Sequence, residues 1–198
     1  MGDNEMNQQI VDAIKASISV KEGLLSDAGL LNTIAEVARA MEIAFRHDKK
    51  VLLCGNGGSA ADAQHLAAEL SGRFYFDREP LFADALHGNT SYLTAVANDY
   101  SYDEVYSRLV RANGRAGDVL VGISTSGNSP NIIRAITTAT GIGMITVGMT
   151  GASGGKMKDI CNYLLNVPSS DTPRIQEAHI MVGHIVCELV EKAMFPRP

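Results

Sequence analysis

The chain has 198 residues, of which 45% are hydrophobic and 20% are charged, and its formal net charge is −5. These values are typical of one folded domain with a substantial core, and the acidic balance argues against general nucleic-acid binding, which requires a basic surface. The polar N-terminus, the lack of an apolar run of bilayer-spanning length and three cysteines without a CxxC pair predict a single cytoplasmic domain over residues 1–198 that contacts no membrane.

The first 48 residues are predicted to form two helices. Apolar residues recur at helical spacing from Met6 to Phe45, and the pattern is interrupted near residues 26–29. The first helix carries only a narrow apolar stripe, which consists of Ile10, Ile14 and Ile18. Such a stripe packs either on a partner subunit or on the helix's own domain, and the spacing leaves both possibilities open.

From residue 49 onward, short apolar strands alternate with helices, which predicts an α/β fold with a parallel sheet covered on both faces. Ligands of such sheets bind at the carboxyl ends of the strands. The predicted strands are Lys50–Cys54, Leu81–Leu86, Asp118–Ile123, Met144–Gly148 and Tyr163–Val167. The predicted helices are Ala60–Phe74, Ser91–Ala97, Tyr102–Ala112, Pro130–Thr140 and Ile175–Met194.

The turn at residues 124–129 is the most informative motif, because a strand leads into a hydroxyl-rich segment that opens a helix at Pro130. Backbone N–H groups, hydroxyls and the helix dipole then converge on one point, which is typical of a phosphate site. One serine would suffice to cap the helix, so four hydroxyls in six residues favour binding over capping. No adenine-specific signature accompanies the turn, which favours a sugar phosphate over a nucleotide.

The glycine-rich loop at residues 55–59 allows two interpretations. Gly55-x-Gly57-x-x-Ala60 formally fits the dinucleotide pattern, which requires an acidic residue at the end of a strand about 20 residues further on. The segment at residues 74–80 is instead predicted to be a loop, and the chain has no GxxxxGK[ST] motif. The loop is therefore interpreted as a glycine-rich wall that lets the backbone approach a small ligand.

Two helices carry candidate acid–base residues. His65 and Glu69 lie one turn apart on one helix face with Asp62, where they could bind a divalent metal or supply a base. A solvent-facing pair is an equally good interpretation of this spacing. His184 lies among apolar residues, as a core histidine would, and its spacing favours pairing with Glu188. The residues by themselves thus predict a phosphate site with a nearby acid and base, without fixing the reaction.

Five segments together resemble the sugar isomerase (SIS) domain family, and most closely its phosphoheptose isomerase branch. They are residues 54–65, 68–74, 98–99, 122–129 and 174–179, so the resemblance extends over nearly the whole chain. It implies a three-layer αβα sandwich of the doubly wound, flavodoxin-like class and a homotetramer with sites at subunit boundaries. It also implies an aldose–ketose isomerase that converts sedoheptulose 7-phosphate to D-glycero-D-manno-heptose 7-phosphate through an enediol, the first step of activated heptose biosynthesis for surface polysaccharide.

The resemblance also implies roles for individual residues. Glu69 would be the general base and His184 the general acid, and both would contact the substrate region. The phosphate would be held by Ser124, Thr125, Ser126 and Ser129. The sugar would be lined by Asn56, Gly57, Gly58, Asn98, Asp99 and Gln176. One zinc ion per subunit would be bound by His65, Glu69, Gln176 and His184.

A relative of another functional class shares the SIS fold and the tetramer. It is a non-catalytic protein that associates with a bacterial replication initiator, and it lacks the glutamate and histidine that match Glu69 and His184. The chain's ending, residues 194–198, resembles that relative, whereas the presence of both catalytic candidates favours the enzyme. The binding protein is therefore retained as the alternative.

Overall fold

The structure, a computed structural model, describes residues 2–197 and contains a parallel five-stranded sheet. Its strands are β1 (Val51–Gly55), β2 (Ala83–Ala85), β3 (Val119–Ile123), β4 (Ile145–Thr150) and β5 (Tyr163–Asn166). The strand order is β2-β1-β3-β4-β5, and Gly55 at the end of β1 is in register with Ile123 at the end of β3. All five predicted strands are therefore confirmed, although β2 is shorter than the predicted Leu81–Leu86.

Helices cover both faces of this sheet. They are α1 (Asp3–Ser26), α2 (Ala28–Arg46), α3 (Gly58–Ser71), α4 (Thr90–Asp99), α5 (Val105–Asn113), α6 (Pro130–Gly141) and α7 (Thr172–Met194). Val51 and Leu53 of β1 belong to a core cluster with α2, α3 and α7, whereas Leu52 and Cys54 belong to a second cluster with α5 and α6. Because successive strand residues point to opposite faces, these two clusters are the two sides of one sheet, and the predicted α/β sandwich is confirmed.

Several helical segments differ from the sequence prediction. Helix α3 ends at Ser71, before the predicted end at Phe74, and the segment from there to β2 contains no strand. Its C-terminal carbonyl groups accept hydrogen bonds from the side chain of Arg78, which lies in that segment. The predicted helix Tyr102–Ala112 is divided into a 3₁₀ helix at Tyr102–Glu104 and α5, and a further 3₁₀ helix at Gly155–Asp159 was not predicted.

The predicted break between the first two helices is confirmed at Asp27. Its side chain accepts a hydrogen bond from the Leu30 N–H at 2.9 Å, which caps the start of α2. Ile10 and Ile14 of α1 are each 56% exposed on this single chain. Among residues 2–197, no helix has the length and apolar character needed to cross a membrane.

Candidate active site

Two loops meet at the centre of the sheet, where its strand order reverses. The loop after β1 and the loop after β3 leave the carboxyl ends of adjacent strands, as predicted. They enclose a cavity of about 320 Å³ at this switch point, the usual ligand position of an open α/β sheet. The cavity is lined by Asn56, Gly57, Gly58, Ser59, Ile123, Ser124, Thr125, Ser129, Thr172 and Gln176.

The serines of the second loop face one another. The Oγ of Ser124 lies 2.9 Å from the Oγ of Ser129 and 3.5 Å from the Oγ of Ser126. Ser129 is the N-cap residue of α6, yet its side chain makes no capping hydrogen bond. Because the hydroxyl does not cap the helix, the capping interpretation does not account for this turn. The hydroxyls instead cluster at the positive end of the α6 dipole, where an anion is stabilised.

The shape of the serine turn depends on Gly127, which has φ +65°. A Cβ at this position would lie 2.2 Å from the carbonyl oxygen of Gly154, so only glycine fits against the loop that follows β4. The two loops are joined further by the Met157 N–H, which donates to the Gly127 carbonyl at 3.2 Å. The backbone of the loop after β4 therefore packs against the serine turn and stabilises its shape.

Asn56 links the two cavity loops through a partner that the sequence analysis missed. Its side-chain amide exchanges two hydrogen bonds with that of Asn131, at 2.9 and 2.8 Å, and its Oδ1 also accepts from the Tyr102 hydroxyl at 3.2 Å. Asn131 lies in the first turn of α6 and is buried. Its position directly after Ser129-Pro130 was the available signal, because a buried amide there has to find a polar partner nearby.

Gln176 enters the same cavity from the first turns of α7. A Cβ built on Gly58 would lie 2.5 Å from the Gln176 Nε2, so the amide packs directly against the backbone at the start of α3. This contact joins the glycine-rich wall to α7, the helix that also carries His184. The interpretation that the loop at residues 55–59 lets the backbone approach a small ligand stays a prediction.

A histidine–glutamate–histidine cluster lies further along α3 and α7. The Nε2 of His65 is 3.2 Å from the Oε1 of Glu69 and 2.9 Å from the Nε2 of His184. One ligand atom of each residue lies within 4.8 Å of the other two, so the three could hold one metal ion. Two imidazoles and a carboxylate are ligands that suit zinc and similar divalent metals.

Gly183 allows α7 and α3 to pack closely enough to form this cluster. A Cβ on Gly183 would lie 2.5 Å from the Cδ1 of Leu66, so α7 packs directly on α3 at this point. His184 and His65 are the chain neighbours of these two residues, and the close contact brings their rings together. The expected pairing of His184 with Glu188 does not occur: the His184 Nε2 contacts His65, and a Glu188 oxygen accepts a hydrogen bond from Lys192 at 2.6 Å.

Asp62 lies one turn before His65 on α3. Its Oδ2 is buried and makes no hydrogen bond within the described part of the chain. Burial raises the pKa of the Asp62 carboxyl above its usual value, and attraction by His65 partly opposes that rise. This unpaired oxygen places a further acceptor beside the cluster.

Asn98 and Asp99 do not line the cavity of this single chain. They end α4, both are exposed, and the Asn98 Nδ2 donates to the Asp99 Oδ1 at 3.0 Å. The cavity-lining residues do not include them. Their role at the sugar therefore stays a prediction.

Comparisons with known proteins give a consistent result. Residues 25–151 match the family model described as SIS domain. The chain is 54% identical over 191 residues to a phosphoheptose isomerase of Aneurinibacillus thermoaerophilus, covering 96% of both chains, and 53% identical over 190 residues to one of Clostridium acetobutylicum, covering 96% and 97%. A solved phosphoheptose isomerase of Neisseria gonorrhoeae is 44% identical with a TM-score of 0.89, with 94% of this chain and 99% of that chain covered.

Proposed function

Because the chain belongs to the SIS-domain family and, within it, to the phosphoheptose isomerases, we propose that it converts sedoheptulose 7-phosphate to D-glycero-D-manno-heptose 7-phosphate. The observation that carries this proposal is the meeting of Glu69 and His184, from two different helices, on the side of the sheet that also holds the serine-lined cavity. His65 lies seven residues after Gly58, which is about 10 Å of helix rise from the cavity wall. An extended seven-carbon sugar phosphate bridges such a distance.

The phosphate end of the substrate is assigned to the turn after β3. Hydroxyls of Ser124, Thr125, Ser126 and Ser129, with N–H groups at the start of α6, would bind it. Asn56, Gly57, Gly58 and Gln176 would line the sugar, with Asn98 and Asp99 contributing at the subunit boundary. Because the phosphate is bound far from the reacting carbons, the binding energy of the phosphate serves to orient those carbons.

The reaction moves a carbonyl from C2 to C1 of the sugar. Glu69 as general base would take the proton from C1, and the C1–C2 double bond of an enediol would form as the C2 carbonyl oxygen accepts a proton from His184. Return of the proton from Glu69 to C2, with loss of the O1 proton to His184, would complete the aldose. Each group ends in the state in which it began, so no further reactant is consumed.

We further propose that zinc binds at His65, Glu69 and His184, with Gln176 as a fourth ligand. The convergence of three donor atoms within 4.8 Å supports the first three ligands, whereas Gln176, whose amide packs on Gly58, is assigned from the family resemblance alone. A zinc ion bound there would supply the positive charge that stabilises developing negative charge on the sugar oxygens, in place of the proton from His184.

Protein purified without chelators is expected to contain up to one zinc ion per subunit, as measured by elemental analysis. His65→Ala should lose the ion, because it removes one of the three converging donors. His47→Ala is the matched control, since His47 is an exposed histidine that contacts the Ile43 carbonyl at the end of α2. Equal zinc contents in both variants would contradict the assignment.

We propose a homotetramer built from one SIS domain per chain, which comprises the N-terminal helices at residues 1–48 and the α/β core at residues 49–198. Exposed apolar side chains on one helix support an oligomer, since such a patch marks an interaction surface. They are Met6, Ile10, Val11, Ile14 and Ile18 of α1. Native mass spectrometry tests the tetramer.

We also propose that the protein acts in the cytoplasm, in heptose biosynthesis. Its three free cysteines support this location, because the cytoplasm keeps thiols reduced.

The experiment that tests the proposed reaction is a coupled assay of the purified chain with sedoheptulose 7-phosphate, with direct identification of the heptose product. Turnover is expected, and unphosphorylated sedoheptulose is the control for the phosphate grip. Lack of turnover with correctly folded protein would contradict the proposal. The non-catalytic alternative is not carried forward, because Glu69 and His184 are both present and adjacent to His65.

A further inference from the structure

A buried ion pair joins the segment after α3 to the end of α7. The Nε of Arg78 lies 3.0 Å from the Oε1 of Glu191, and the two side chains are only 2% and 1% exposed. Buried ion pairs are weak sources of net stability, because the desolvation of both charges offsets most of their attraction. The position of this pair therefore requires another explanation, which its hydrogen bonds provide.

Arg78 binds the carbonyl groups that end α3. It donates from Nη2 to the Glu69 carbonyl at 2.8 Å and from Nη1 to the carbonyls of Leu70 at 2.8 Å and Gly72 at 3.1 Å. The last carbonyls of a helix have no partners within the helix, and a cation there also complements the helix dipole. Arg78 thus fixes the backbone of Glu69, the proposed general base.

Glu191 binds the segment that follows. Its two oxygens accept from the backbone N–H groups of Phe74 at 3.0 Å and Tyr75 at 2.8 Å. The Phe74 ring packs on the His184 ring, with 5.7 Å between ring centroids. Glu191 lies seven residues after His184, which places both on one face of α7. One carboxylate therefore holds the aromatic ring that contacts the proposed general acid.

We propose that Arg78 and Glu191 are a positioning pair that holds Glu69 and His184 at their working separation. The inference rests on the proposed function and extends it to two residues that touch neither the cavity nor the reacting atoms. Arg78 acts on the Glu69 backbone, and Glu191 acts on His184 through Phe74. Substitution of either residue of the pair should displace Glu69 and His184 and leave phosphate binding at the turn after β3 unchanged.

The chain offers a closely matched control for this pair. Asp118, before β3, is 1% exposed and accepts from two backbone N–H groups, those of Lys50 and Arg115, and from the Lys50 ammonium. Glu191 likewise accepts from two backbone N–H groups and one cationic side chain. Asp118 lies at the opposite end of the sheet from the site, so Asp118→Asn produces the same chemical change without affecting Glu69 or His184.

Glu191→Gln is expected to lower kcat by about 10- to 100-fold while KM for sedoheptulose 7-phosphate stays within about twofold, because small misplacements of reacting groups carry losses of that size. Asp118→Asn should keep the wild-type kcat at temperatures where both variants are folded. Equal kcat values in the two variants would overturn the inference. Should Glu191→Gln fail to fold, Arg78→Lys keeps the charge and loses the planar fork, and the same split between kcat and KM is expected.

A measurement without substrate separates this inference from the proposed function. In histidine-¹⁵N-labelled protein, Glu191→Gln or Arg78→Lys should shift the imidazole nitrogen resonances of His65 and His184, whereas Asp118→Asn should leave them in place. Unchanged resonances in the first two variants would refute the positioning role. If the wild-type protein does not turn over sedoheptulose 7-phosphate, the proposed reaction fails and the imidazole spectra still decide the role of the pair.

Discussion

Glu69→Gln is expected to lower kcat by about 10²- to 10⁴-fold, because an amide cannot accept the proton that leaves the sugar carbon. KM should change little, since the phosphate grip lies at the other end of the substrate. The side chain is 21% exposed and its described partner is the His65 imidazole, so the free energy of unfolding should change by no more than about 1 kcal/mol. Steady-state kinetics with sedoheptulose 7-phosphate and thermal unfolding measure the two effects.

The matched control for this variant is Glu188→Gln. Glu188 is also a helix glutamate with an i,i+4 partner, Lys192, and it lies on α7 four residues after His184. Its substitution removes an equivalent surface charge and should leave kcat unchanged. A Glu69→Gln variant with kcat close to that of Glu188→Gln would exclude Glu69 as the base.

The serine turn shows how much of the site is encoded locally. The strand Val119–Ile123 is a continuous apolar run, and the hydroxyls after it precede a proline that begins a helix. Each of these signals lies within a dozen residues, so the position of the turn at the end of a buried strand was predictable. The same holds for the glycine-rich loop after β1.

Spacing predicted the pairing of His65 with Glu69 but not the arrival of His184, which lies 119 residues after His65 in the chain. Their contact depends on the packing of α7 against α3 at Gly183 and Leu66, which periodicity does not reveal. Spacing instead favoured the local pairing of His184 with Glu188, which was wrong, since His184 contacts His65 and Glu188 contacts Lys192. Only the resemblance to a known family placed His184 with Glu69.

The end of α3 was misplaced for a related reason. The apolar pattern continues through Phe74, so local periodicity extends the helix beyond Ser71. The structure ends it earlier, because Arg78 binds the terminal carbonyls and Glu191 binds the Phe74 N–H. Gly72, the C-cap residue, was the one local stop signal, whereas the contact of Glu191 with the Phe74 N–H spans 117 residues and leaves no trace in the local sequence. The same two residues that the sequence analysis missed are those inferred to position the acid and the base.

Gly127→Ala is expected to damage phosphate binding most severely. The φ of +65° alone makes an alanine unfavourable by about 1 to 3 kcal/mol, and its Cβ would lie 2.2 Å from the Gly154 carbonyl oxygen. Either the serine turn or the loop after β4 then has to move, which separates the hydroxyls of Ser124 and Ser129. Affinity for inorganic phosphate, measured by titration calorimetry, should fall at least about tenfold, and KM for the sugar phosphate should rise with it.

Gly141→Ala provides the comparison for this loss. Gly141 ends α6, does not have a positive φ, and has no atom within 4 Å of an added Cβ. Its replacement should leave phosphate affinity unchanged and raise stability by about 0.4 to 1 kcal/mol, because alanine restricts the unfolded chain. The contrast isolates the backbone shape of one turn as the cause, because both variants add the same methyl group. Wild-type phosphate affinity in Gly127→Ala would show that the anion binds elsewhere.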